Sequence, residues 1–95
     1  MNRITGQAHR AWLEKLVDGI EPREYKKANL HWVKRLKKVT VPFELRLING
    51  MRPNAFEATF VINEIRLRLD GDPEGRYRGP VYSLHIARVV EVRNR

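Results

Sequence analysis

Two hydrophobic periods run through the chain. Between Gln7 and Val39 apolar residues recur at helical spacing, and from Val39 onward they alternate with polar ones. The segment Pro22–Val39 reads as an amphipathic helix. At about 100° per residue, Tyr25, Ala28, Trp32, Leu36 and Val39 share one side, with Val33 at its margin. Arg23, Lys26, Lys27, Lys34, Lys37 and Lys38 occupy the other side, flanked by Arg35. A helix of this kind lays an aromatic stripe on a core and turns a cationic ridge to solvent. Gln7–Ile20 predicts a second helix with His9, Trp12, Leu13, Leu16, Val17 and Ile20 on one face. Gly19 suits its C-terminal stop and Pro22 the first turn of the next helix. The expectation is an N-terminal helical hairpin over 7–38, preceded by a loose leader over 1–6 with Thr5 available as a cap.

Past Val39 the side-chain period becomes two. Val39, Val41, Phe43, Leu45 and Leu47 alternate with polar neighbours, and Pro42 argues for an edge position. The turn-forming stretch Asn49–Asn54 leads to Phe56, Ala58, Phe60 and Ile62. Asn63-Glu64 then reads as a hairpin turn into Ile65, Leu67 and Leu69. A two-residue loop there would pair Ile62 with Ile65, Phe60 with Leu67 and Ala58 with Leu69 on one face. Asp70–Pro80 is rich in turn residues. Val81–Val92 follows as one long bent strand or two short ones, with Arg88 breaking the parity and suggesting a bulge near Ala87-Arg88. Residues 39–93 are thus an antiparallel meander of four or five strands. The fold class expected is a single α+β domain, its sheet curled open or closed into a small barrel.

Composition narrows the function classes. The 95 residues suffice for one modest core. No apolar run approaches the roughly 18 residues a membrane span needs, and the N-terminus has no apolar signal region. Without cysteine there is neither a disulfide framework nor a thiolate metal site. A cytoplasmic protein is expected, of the compact kind found in phages and mobile elements. Nineteen Lys and Arg against eleven Asp and Glu give a net charge of +8. That field favours polyanions, nucleic acid first.

The candidate contacts fall in three places. The helical ridge supplies Arg23, Lys26, Lys27, Lys34, Arg35, Lys37 and Lys38. The outward face of the sheet supplies Arg46, Arg66 and Arg68, each able to fork across two phosphate oxygens or to pair with Glu44, Glu57, Glu64 and Glu91. The third is the loop triplet Arg76-Tyr77-Arg78, where a tyrosine between two arginines can stack on a base. Asp70–Gly75 has some acids of a calcium loop, but Val81 stands where the bidentate glutamate belongs, so it reads as a turn. His9, His31 and His85 lack partners at zinc-site spacing, and no cofactor motif is present.

The leading expectation is a non-enzymatic protein that holds DNA or RNA by the phosphate backbone. The rival is a small inhibitor or adaptor docking on an acidic surface of a larger protein. Homo-oligomerisation through a sheet edge is compatible with either, and membrane binding is not expected. In outline, the basic helical hairpin and antiparallel sheet also resemble the RelE/ParE-type toxins. That resemblance would imply metal-free mRNA cleavage by Arg76, Tyr77, Arg78, His85 and Arg88. The toxins open with a β-strand, where this chain reads as a leader.

Overall fold

The computed structural model describes all 95 residues. The chain runs β1 (Arg3–Gln7), α1 (Arg10–Val17), β2 (Arg23–Lys27), α2 (Leu30–Lys37), β3 (Phe43–Ile48), β4 (Glu57–Arg68) and β5 (Val81–Arg93). The five strands form one mixed sheet in the order β1-β3-β4-β5-β2. β1 runs parallel to β3 and the other pairs are antiparallel.

The α+β class holds, but the helical hairpin followed by a meander does not. Residues expected as a leader form β1, paired from Arg3↔Glu44 to Gln7↔Ile48. The long basic helix is instead a strand, a cap and a short helix. Arg23–Lys27 pairs with Val81–His85, and the Asn29 side chain accepts from the Trp32 N–H at 3.0 Å to start α2. An N-cap asparagine removes one orphan donor from a helix start, and it sets the first helical residue at Leu30 rather than Pro22. The free edge of β5 then supplies ladder bonds that an isolated helix could not, so tertiary pairing overrides the helical period. Pro22 suits this as well: it has no N–H to waste at the strand start, and its carbonyl accepts from Ile86.

The sheet is not a closed barrel, because β1 and β2 are its two ends. The expected Asn63-Glu64 hairpin is also absent. β4 continues through both residues: Glu64 pairs with His85, and Asn63 alone is left over as a bulge between that pair and Ile62↔Ile86. Neither residue is glycine, so a tight type I′ reversal lacks its usual support. The ladder also skips Ala87, between Val61↔Arg88 and Ile62↔Ile86. β3 starts at Phe43 rather than Val39, after a proline that has no donor for a ladder.

Phe43, Leu45 and Leu47 lie opposite Ile62, Phe60 and Ala58. Together with Leu84 they join Trp12, Leu13 and Leu16 of α1 and Trp32 and Leu36 of α2 in one core cluster. Both helices therefore cover the same face of the sheet. Gly6 suits that packing, since a Cβ there would lie 3.0 Å from the Trp32 ring and the ring would have to give way. The opposite face carries ion pairs such as Arg3–Glu44 at 2.8 Å and Arg46–Glu57 at 2.7 Å. No helix is long and apolar enough to cross a membrane.

Candidate functional site

Glu24 and Lys26 stand two apart on β2 and point to the same side. Both are buried. Glu24 Oε1 accepts from Trp12 Nε1 at 2.8 Å and from the Tyr25 N–H at 2.7 Å. Its Oε2 lies 3.3 Å from Lys26 Nζ. Lys26 Nζ also donates to the Gln7 carbonyl at 2.8 Å, a side-chain link between the two end strands of the curled sheet.

The β4–β5 loop closes over this pair. The buried Asp72 carboxylate accepts from the Tyr77 N–H and from Arg76 Nε, each at 3.2 Å. Gly71, with φ +87°, allows the tight curl, since a Cβ there would lie 2.5 Å from the Tyr77 carbonyl oxygen. Arg76 is thereby set with its guanidinium 3.9 Å above the Trp12 ring and 3.7 Å from Glu24. Two carboxylates and two cations thus hold β2, the loop and α1 together, and no buried side-chain polar atom is left without a partner. Burial pushes the Tyr77 hydroxyl above its ordinary pKa.

Two adjoining clefts open beside this cluster. A cavity of about 520 Å³ lies among Thr5, Gln7, Lys27, His31, Trp32, Arg35 and Tyr77. A second, of about 330 Å³, is bounded by Gln7, His9, Glu24, Asn49 and Arg76. Further along β1, Asn2, Arg3 and Ile4 face Arg35, Lys38 and Val39 across a third cavity of about 350 Å³.

The expected contact residues divide by how they are paired. Arg76 is fixed within the loop, while Tyr77 borders both clefts and Arg78 is exposed. Arg46 is held bidentately by Glu57, which raises its already high pKa. Arg66 and Arg68 meet Arg23 and Ser83 around a depression of about 320 Å³. There Glu64 binds both Arg23 and Arg66, while Arg68 pairs with Asp70. The hydrogen bond from Arg23 and the nearby Arg66 charge hold the Glu64 carboxyl below its ordinary pKa. Lys26 is turned inward, away from the other ridge cations.

Ten of the nineteen Lys and Arg side chains take part in ion pairs. Of the nine that do not, five are Lys27, Lys34, Arg35, Lys37 and Lys38. From Tyr25 to Phe43 the sequence contains no acid. On α2, Trp32 and Leu36 are buried while Lys34, Lys37 and Lys38 are exposed. Arg35 lies along the flank, its guanidinium 4.8 Å from the Trp32 ring and 3.3 Å from His31 Nε2. The last-turn cations also complement the helix dipole, which contributes about 0.3–1 kcal/mol each. That offsets the few tenths of a kcal/mol of mutual repulsion, so the cluster costs the fold little.

Of the toxin-like set, Arg76 and Tyr77 border the clefts. His85 lies on β5, bonded to Asn63 at 2.7 Å, and Arg88 sits opposite Val61. The set is therefore divided between the loop and the middle of β5 rather than gathered around one cavity. Sequence periodicity does not single out Glu24 or Asp72 as organisers of the site. The one local signal is Asn29, a capping residue directly before an apolar helical run. No protein family, curated protein or solved structure matches this chain.

Proposed function

We propose that the protein binds nucleic acid through the phosphate backbone, using the exposed cations of α2 and the adjoining end of β2. The observation that carries this reading is the separation of charges. Elsewhere most cations are neutralised by a neighbouring carboxylate, whereas Lys27, Lys34, Lys37 and Lys38 have none and lie on or beside a short helix packed on the core. Unpaired surface cations on a helix offer point charges to successive phosphates without first breaking an ion pair. The arginines of the sheet are poorer candidates, because each would have to exchange Glu57, Glu64 or Asp70 for a phosphate.

Binding of labelled single- and double-stranded DNA and RNA, followed by anisotropy across a salt series, tests the reading. Affinity should fall as a power of salt concentration, with an exponent reflecting several displaced counterions. Absence of binding to all four at low salt, or affinity indifferent to salt, would exclude it.

A further inference from the structure

The outer edge of β1 has a property that the α2 cations alone do not explain. Its even-numbered residues turn their backbone groups toward β3: the Asn2 carbonyl accepts from Glu44 and the Ala8 N–H donates to Ile48. In a parallel ladder the odd residues then face the other way. Arg3 and Thr5 therefore present both N–H and C=O to the outside, and Gln7 its N–H. The Gln7 carbonyl is met by Lys26 Nζ. A row of alternating donors and acceptors like this is a template for another strand.

Space for such a strand exists. The cavities of about 520 and 350 Å³ follow β1, with α2 walling both and Arg35 common to the two, while Lys26, Lys27 and Tyr77 close the far end of the larger. The wall runs opposite to the strand: His31 lies at the Thr5–Gln7 end and Lys38 at the Asn2–Ile4 end. Its polar side chains also come close to a strand's repeat. His31 and Arg35 are one turn apart, about 6 Å along the helix. Side chains on one face of an added strand recur every two residues, about 6.6 Å.

We propose that the groove between β1 and α2 takes an extended acidic peptide segment of a partner protein, added as a sixth strand. Carboxylates on the face turned toward α2 would meet the flexible side chains of Arg35 and Lys38, while the peptide backbone pairs with Arg3, Thr5 and Gln7. A nucleic-acid strand suits the groove less well. Its phosphodiester backbone only accepts hydrogen bonds, so the outward carbonyls of Arg3 and Thr5 would face anionic oxygens. This inference shares Lys27 and Lys38 with the nucleic-acid reading, whose other cations, Lys34 and Lys37, do not line the groove.

The test uses the full chain and a labelled seven-residue peptide alternating threonine and glutamate. A second peptide carries N-methyl groups at alternate residues, which keeps the carboxylates but blocks strand pairing. The first should bind with amide resonance shifts concentrated at Arg3, Thr5 and Gln7. The N-methylated peptide should bind at least tenfold more weakly. Arg35→Gln should weaken binding of the first peptide several-fold, while Lys34→Gln with Lys37→Gln should leave it unchanged. The proposal is overturned by equal affinity for the two peptides, by no binding at millimolar peptide, or by a Lys34/Lys37 effect matching that of Arg35. It is also overturned if oligothymidylate, rather than the peptide, perturbs the β1 amides.

Discussion

Lys26 has two acceptors inside the protein, Glu24 and the Gln7 carbonyl. Its removal would leave one buried carboxylate short of a cation and one carbonyl without a donor. Lys26→Met should therefore destabilise the fold by roughly 3 kcal/mol, since breaking one side of a buried pair costs about 3–5 kcal/mol. The low end applies because Trp12 and the Tyr25 N–H still hold Glu24. Adding Glu24→Gln to Lys26→Met should recover part of that loss, and urea unfolding of the two variants gives the comparison. At Glu64 the effect is one of pH. Its folded pKa is lowered from the ordinary 4.5 by the hydrogen bond from Arg23. A depressed carboxyl stabilises the fold above its unfolded pKa, and that contribution disappears as pH falls through the lower, folded value. Melting temperature should thus drop on acidification below about pH 4.5, and drop less steeply in Glu64→Gln. Equal acid sensitivity in the two proteins would show that the Glu64 pairs do not contribute.

At the scale of elements, the core positions of the sheet were legible in the alternation. Phe43, Leu45, Leu47, Ala58, Phe60 and Ile62 are all buried, and the skipped residue Ala87 falls at the parity break. The part that could not be read is the part that depends on distant partners. Tyr25, Ala28 and Trp32 have helical spacing, yet Tyr25 belongs to a strand that exists because β5 has an edge to offer. Arg3–Gln7 has only five residues and a glycine, too little pattern to announce a strand; its parallel pairing with β3 decides it. The candidate site was legible only in its charge. The basic run was visible and Asn29 carried a capping signal inside it, but the longer helical period masked that signal, and nothing announced the inward turn of Lys26. The seat of α2 offers a direct check. Trp32→Ala should cost about 3–5 kcal/mol, because the ring fills the space over Gly6. Gly6→Val should push that same ring and destabilise by about 1–3 kcal/mol. Thermal melts showing either variant as stable as the parent would mean that α2 does not rest on β1 in this way.

Across the whole molecule, positive charge is divided between two roles. Most arginines on the sheet, and Arg76 in the β4–β5 loop, are engaged with carboxylates and hold structure. The lysines of α2 and its approaches have no such partners, and they are the proposed binding surface for nucleic acid. The most direct measurement compares the salt dependence of binding in two triple variants. One is Lys34→Gln, Lys37→Gln and Lys38→Gln; the other is Arg46→Gln, Arg66→Gln and Arg68→Gln. Every phosphate that a variant no longer neutralises should lower the slope of log affinity against log salt by about 0.9 for duplex DNA. The account predicts that the lysine triple loses about two to three units of slope and most of the affinity, with its melting temperature nearly unchanged. The arginine triple should keep the parent's slope. A reduced slope in the arginine triple alongside an intact one in the lysine triple would contradict the account and move the interface to the sheet.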